Sequence, residues 1–218
     1  WMTQGTRVTG NLLHDNTNAS KHSQDLFVEV NHGPFLVDNN IFLSKKTLLD
    51  QSTGGAYVHN LFGGRIPKVV PQGRKTPYLK AHSTEIAGLS DTPGGDSRFI
   101  NNLFLQGHDL SPYDGFANMK IAGNRFLDTA VKLVRKNDAI YLEFGQGLDT
   151  CDDNRSLVRS TDLGKTVISG LPFKTPEGSD FTIDRDYFEK ARKADHPAAG
   201  PFAGPDHGAA FIRVWPKP

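Results

Sequence analysis

Apolar and polar positions recur along this chain in one short arrangement, five times over. Val8-Thr-Gly-Asn11-Leu-Leu13, Val37-Asp-Asn-Asn40-Ile-Phe42, Tyr57-Val-His-Asn60-Leu-Phe62, Phe99-Ile-Asn-Asn102-Leu-Phe104 and Ile121-Ala-Gly-Asn124-Arg-Phe126 each place an apolar residue three before an asparagine and Leu or Phe two after it. The steps between the asparagines are 29, 20, 42 and 22 residues. Repeats of about 20–50 residues signal a stacked architecture. The Val/Ile/Phe-rich copies are too short for helical repeats and have the composition of strands. The pattern predicts an all-β fold, a right-handed parallel β-helix in which each phrase supplies one strand and one turn of a coil. Phe or Leu stacks inside, and the asparagines bond in a line about 4.8 Å apart, the spacing of paired strands. Ordinary turns at Asn-Asn and Gly-Asn would also use these residues, but five aligned copies favour the stack.

Residues 1–130 are expected to carry the coils. The doubled step between the third and fourth copies is filled by 65–94, rich in Pro, Gly and charge, which is either an extra coil lacking the phrase or a long loop thrown out from one coil. Gln24–His32 reads as a separate strand before Pro34. Beyond about residue 131 the phrase stops. Runs at Ala139–Phe144, Lys165–Ser169, Phe181–Asp184 and Ala210–Trp215 predict a small C-terminal antiparallel β cap over 131–218. Tyr187–Lys193 reads as one or two helical turns, and His196–Gly208 as a tail wrapping the surface.

Composition narrows the function classes. The 22 glycines and 13 prolines suit a turn-rich β protein, and a net charge of +1 gives no footprint for nucleic acid or an anionic membrane. No apolar run reaches the length of a membrane span. Cys151 is the lone cysteine, so there is no disulfide framework. The chain opens on Trp1-Met-Thr-Gln-Gly, without the basic start or apolar core of a signal peptide. With no segment covering the first coil, the chain is expected to be a fragment of a longer protein.

Candidate chemistry gathers on two segments. In 25–31 the alternation sends Leu26, Val28 and Val30 to the core and Asp25, Phe27, Glu29 and Asn31 outward, with His32 following. Carboxylates, an aromatic ring and an amide on one face suit a sugar. Asp25 and Glu29 stand roughly 13 Å apart on a strand, too far for a pair that must lie about 5–10 Å apart, so each needs a partner from another coil. In the long segment, Tyr78, His82, Glu85, Asp96 and Arg98 are further candidates. Glu29, Glu85 and Asp96, with Asp25, are the expected acid/base set. Phe27, Asn31, His32, Tyr78, His82 and Arg98 are the expected sugar contacts, with Tyr57 a further stacking candidate. An Asp96/Arg98 pair is also an ordinary structural salt bridge.

Other templates fail: there is no Gly-x-Ser-x-Gly elbow, phosphate loop, dinucleotide fingerprint or tight zinc spacing among the eight histidines. No cofactor or catalytic metal is called for. Asp149–Asn154 has the composition of a calcium loop without its central Gly and closing Glu, and reads as a surface turn with a structural Ca²⁺ as the alternative.

The stretch from Gln24 to Ser44, with Gly54–Phe62, His82–Gly88 and Gly95–Phe104, resembles bacterial right-handed parallel β-helix proteins of the carbohydrate-active type. Ile183–Phe188 and Ala199–Phe202 are similar to the C-terminal end of such proteins. The resemblance implies a glycoside hydrolase, akin to β-helix enzymes with xylanase and α-L-fucosidase members, that is secreted or periplasmic and acts on a polysaccharide or oligosaccharide. Xylan-type hemicellulose is the first substrate expected. Members are several hundred residues long, with many coils before the point where this chain begins. Two alternatives stay open: a polysaccharide lyase using Arg74, Lys80, His82 or Arg98 as base or uronate partner, and a non-catalytic glycan-binding module.

Overall fold

A computed structural model describes residues 2–16, 23–146, 148, 154–204 and 211–217. Among the described residues the regular structure is nearly all strand, with little helix, and forms several separate sheets, parallel and antiparallel. In the first parallel sheet, Arg7–Thr9, Phe35–Asp38, Gly55–Val58, Arg98–Ile100 and Lys120–Ala122 lie side by side in chain order. Their register aligns Val8, Val37, Tyr57, Phe99 and Ile121, the apolar residue that opens each phrase. A second parallel sheet of two-residue strands aligns Leu13, Phe42, Phe62, Phe104 and Phe126. Gln24–Glu29 and Lys46–Gln51 make a third parallel pair.

The bend between the first two sheets is built by two residues per layer. The residue before each repeated asparagine takes positive φ: Gly10 (66°), Asn39 (55°), His59 (54°), Asn101 (56°) and Gly123 (63°). Gly and Asn tolerate that region best and His is enriched there, which explains what stands at these five positions. The asparagine that follows turns its side chain along the stack. Nδ2 of Asn11, Asn40, Asn60 and Asn102 donates to Oδ1 of the next at 2.9, 3.0, 3.0 and 3.0 Å. The same Oδ1 atoms accept the preceding asparagine's backbone N–H. Asn40, Asn60 and Asn102 are fully buried, yet their amides are satisfied from layer to layer.

Along the stack the rings repeat in step, buried except for Phe126 in the last layer, which is half-exposed. Phe42, Phe62, Phe104 and Phe126 lie near-parallel at centroid separations of 5.3, 4.9 and 5.0 Å, and Tyr57 stacks on Phe99 at 4.6 Å. Elsewhere the backbones themselves come close. Gly54 sits at φ 82°, and a Cβ there would stand 2.9 Å from the carbonyl oxygen of His32, so a side chain is excluded twice over.

The C-terminal third covers the outer faces of the first two sheets. Leu36, Ala56 and Val58 pack against Val158, Leu163, Phe173 and Ile183, while Ile41, Leu61, Leu103 and Leu105 pack against Leu142, Phe144, Tyr187, Phe202 and Val214. Burial on both faces is why these strands read as nearly continuous apolar runs. An antiparallel sheet of Val131–Lys136, Ala139–Phe144 and Phe211–Trp215 forms part of this cover.

Several expectations change. Lys165–Ser169 is a turn closed by an isolated bridge from Lys165 to Pro172, not a strand. Tyr187–Lys193 is not helical, because the Asp186 carboxylate accepts N–H groups from Phe188 and Lys190 at 2.8 and 2.9 Å and folds a turn instead. The α-helix Ser160–Leu163 was not expected. Segment 65–94 is thrown out as an antiparallel hairpin, Gln72–Leu79 with Ile86–Thr92. Cys151 and most of the calcium-loop stretch 149–154 lie outside the described residues.

Candidate active site

The third parallel pair is where the hairpin docks on the stack. Strand Gln24–Glu29 runs into Val30, whose positive φ of 49° turns the chain, and then into Asn31 and His32. The first hairpin strand lies against this corner. Arg74 Nη2 donates to Glu29 Oε1 at 2.9 Å. Thr76 Oγ1 donates to the carbonyl of Val30 at 3.3 Å, and His32 Nε2 lies 3.1 Å from the Thr76 carbonyl and 2.8 Å from its hydroxyl. A carbonyl only accepts, so Nε2 carries the proton. Burial holds the His32 pKa below its usual value, against the Thr76 hydrogen bond that raises it. The Tyr78 ring meets His32 edge-on at 6.2 Å. Gln4 pins the far end of the strand by donating to the Leu79 carbonyl at 3.1 Å.

At the other end of the hairpin is a groove of about 380 Å³ between Gln4, Pro34, the hairpin tip with Lys80 and His82, and the segment around Lys174 and Pro176. A second lobe of about 310 Å³ shares Gly5, Pro34 and Lys174–Pro176 and is walled by Phe35, Phe173 and Phe181. Apolar walls with a few polar groups at the rim are usual for a small-molecule site. Its cations are tethered: Arg7 to Asp38 and Lys174 to Asp180, both at 2.8 Å, and Lys80 to Glu85.

The four expected catalytic carboxylates do not converge, and no two share a partner. Glu29 meets Arg74 near the base of the hairpin, whereas Glu85 is exposed at its tip beside Lys80. Arg74 and Lys80 are six residues apart along an extended strand, about 20 Å, so a Glu29–Glu85 pair is ruled out by the length of the hairpin.

Asp25 is buried rather than outward. It accepts the Asn16 amide at 2.8 Å and the Ser44 N–H at 2.9 Å, holding two turns together. Burial raises its pKa, and those bonds offset part of the rise. Asp96 and Arg98 are both buried and paired at 2.8 Å. Asp96 also accepts the Val167 N–H at 2.7 Å, while Arg98 donates to the carbonyls of Leu163 and Lys165 at 2.9 and 2.7 Å, with Phe173 5.4 Å from its guanidinium. This pair clamps the C-terminal segment to the stack, so neither residue is free for substrate.

Among the expected sugar contacts, the structure gathers His32 and Tyr78 at the Glu29 corner and places His82 on the groove wall. Asn31 is spent on the Thr3 N–H at 2.8 Å, and Phe27 borders a small apolar pocket of about 140 Å³. Tyr57 is fully buried in the core. Thr76 and the 171–176 wall were not anticipated. The only trace of that wall in the sequence is the Leu-Pro-Phe-Lys-Thr-Pro run, an aromatic between two prolines. Among the described residues no group of three His, Cys, Asp or Glu side chains is placed to hold a metal ion, and no helix is long and apolar enough to cross a membrane.

Comparison with known proteins adds one informative likeness. No family model matches the sequence, and no curated protein matches it. Among solved structures the chain is similar to XylC, in a complex with xylose, with 26% sequence identity and a TM-score of 0.80. The likeness covers 97% of this chain and 40% of XylC. The chain therefore spans less than half the length of that protein.

Proposed function

We propose that this chain is part of a carbohydrate-acting enzyme, a glycoside hydrolase for xylose-containing glycans, in which Glu29 is one of the catalytic carboxylates. The observation that carries the reading is the likeness, along nearly the whole chain, to a protein solved with xylose bound. The parallel layers are read as coils of a right-handed β-helix, with residues 131–218 as a lateral cap. The in-register pairing of one phrase per layer supports that reading.

Glu29 is preferred because it alone of the four carboxylates sits where the hairpin docks, with its partner Arg74 half-exposed and movable. The groove is lined by His82 and Lys80 at the hairpin tip, and Glu29 lies toward the base of the same hairpin, beside Arg74. Paired-carboxylate chemistry needs a second carboxylate about 5–10 Å from Glu29. Asp25 and Asp96 are tied into the fold and Glu85 lies at the far end of the hairpin, so the partner comes from a residue outside this set.

The test is incubation with xylo-oligosaccharides and with neutral and uronic polysaccharides, following new reducing ends and the ultraviolet absorbance of unsaturated products. Reducing ends from xylo-oligosaccharides are expected. Unsaturated products from a uronic polymer would overturn hydrolysis in favour of a lyase. Neither turnover nor binding of any xylose-containing glycan would overturn the reading.

A further inference from the structure

Glu29 has a neighbour fixed by strand register. Gln24–Glu29 and Lys46–Gln51 pair in parallel, with Val28 opposite Asp50 and Glu29 opposite Gln51. Val28 lies in the core, and there the Tyr57 and Tyr113 hydroxyls take the Asp50 carboxylate. Alternation therefore turns Glu29 and Gln51 outward together, with Cα atoms one strand spacing, roughly 4.8 Å, apart. Both are half-buried.

The other polar groups at this corner are spent on the fold. Asn31 holds the Thr3 N–H, Ser52 holds the Asn31 N–H, and Thr76 bonds the His32 ring. The Gln51 carbonyl is spent as well, accepting the Val30 N–H at 3.0 Å. Its side chain is different: among the described residues the Gln51 carboxamide has no hydrogen-bond partner. A primary amide carries a donor and an acceptor side by side, whereas Arg74 only donates and an ionised Glu29 only accepts. Two neighbouring hydroxyls of a sugar match that pairing, since each hydroxyl both gives and takes a hydrogen bond. An uncharged amide cannot serve as the second carboxylate, so its use is in binding.

We propose that Gln51 is a substrate-binding residue of the Glu29 site: Nε2 donates to one hydroxyl of the sugar unit beside Glu29, and Oε1 accepts from the adjacent hydroxyl. The inference rests on the function proposed above for Glu29. It adds which sugar units that site takes, those whose two adjacent hydroxyls are both free. An O-acetyl group on that pair takes away the proton that Oε1 accepts.

Steady-state hydrolysis of xylotetraose and of its O-acetylated form by the full chain tests this. Gln51→Met keeps length and removes both hydrogen-bonding groups. It should raise KM for xylotetraose about tenfold, the scale of two hydrogen bonds. Its kcat should stay within about twofold, as when binding shared by ground and transition states is lost. The native preference for the unsubstituted substrate should vanish in the variant. Its thermal unfolding midpoint should match the native one, because no protein partner is lost. Should Gln51→Met lower that midpoint, Gln51→Ala, which removes the same groups without filling the space, decides instead. In the deciding variant an unaltered KM, or a surviving preference against acetyl groups, would overturn the role of Gln51, while native turnover would still uphold the function of the site. Native protein that neither cleaves nor binds xylotetraose would overturn both.

Discussion

The hydroxyl of Tyr113 donates a 2.8 Å hydrogen bond to Asp50 Oδ2, an oxygen that also accepts the Tyr57 hydroxyl at 2.9 Å. All three residues are buried in the core of the stack. Ser52 donates its backbone N–H to the other Asp50 oxygen at 2.9 Å. Tyr113 arrives from a short 3₁₀ turn, Ser111–Tyr113, so one carboxylate fastens a late loop to an early strand.

Burial pushes the Asp50 pKa from 3.8 to about 6, against the three hydrogen bonds that lower it. A carboxyl whose pKa is raised by folding binds its proton more tightly in the folded chain. Its contribution is therefore full below the unfolded value and is lost as pH rises through about 6. The span corresponds to roughly 3 kcal/mol. Thermal unfolding at a series of pH values should show this loss between about pH 4 and pH 7 in the native protein. Asp50→Asn should flatten that part of the curve. An unaltered pH dependence in the variant would remove Asp50 as its source.

The Asn60 side chain sits mid-ladder, taking two hydrogen bonds from Asn40 and giving one to Asn102 and one to the Val37 carbonyl. Asn60→Ala orphans buried groups in both neighbouring layers and should cost on the order of 1–3 kcal/mol in urea unfolding. Asn11→Ala, at the partly exposed end, should cost clearly less. Equal costs would mean that the ladder's burial is irrelevant to its strength.

Arg98→Met leaves Asp96 buried without its counter-charge and should destabilise by about 3–5 kcal/mol. The double change with Asp96→Asn should recover part of that loss. Proteolysis of the single variant should begin near residues 160–175, the segment the clamp holds. Cleavage starting elsewhere would argue against that role.

Glu29→Gln keeps size and hydrogen bonding and removes the titrating proton. Turnover of a xylo-oligosaccharide should fall by about 10²-fold or more, with binding little changed. Undiminished turnover would take Glu29 out of the mechanism.

The ladder was legible in the sequence because it repeats: five asparagines, each with a left-handed-tolerant residue before it and an apolar residue two after, state one layer five times. The candidate site was legible only in part. Strand alternation correctly sends Val28 inward but cannot tell that Ser44 and Asn16 close over Asp25. Asp96 and Arg98 look like site residues because charges beside glycines suggest a loop. Their partners Leu163, Lys165 and Val167 are about seventy residues away, and nothing local in the chain announces them. Asp50 stands in an unremarkable polar stretch of the sequence, and its burial comes from the packing of Tyr57 and Tyr113 around it.

A ladder that ties asparagine to asparagine takes no measure of the chain between them. Steps of 20 and 42 residues bring their asparagines to the same 3.0 Å bond. Whole hairpins can therefore be gained or shed between rungs without moving the frame, because the loop-closure cost of added residues grows only slowly. The wall over the Glu29 corner is such a hairpin, inserted in the longest step. What the site accepts can thus diverge among related chains while the scaffold stays fixed, with new selectivity arriving by insertion rather than by repacking of the core.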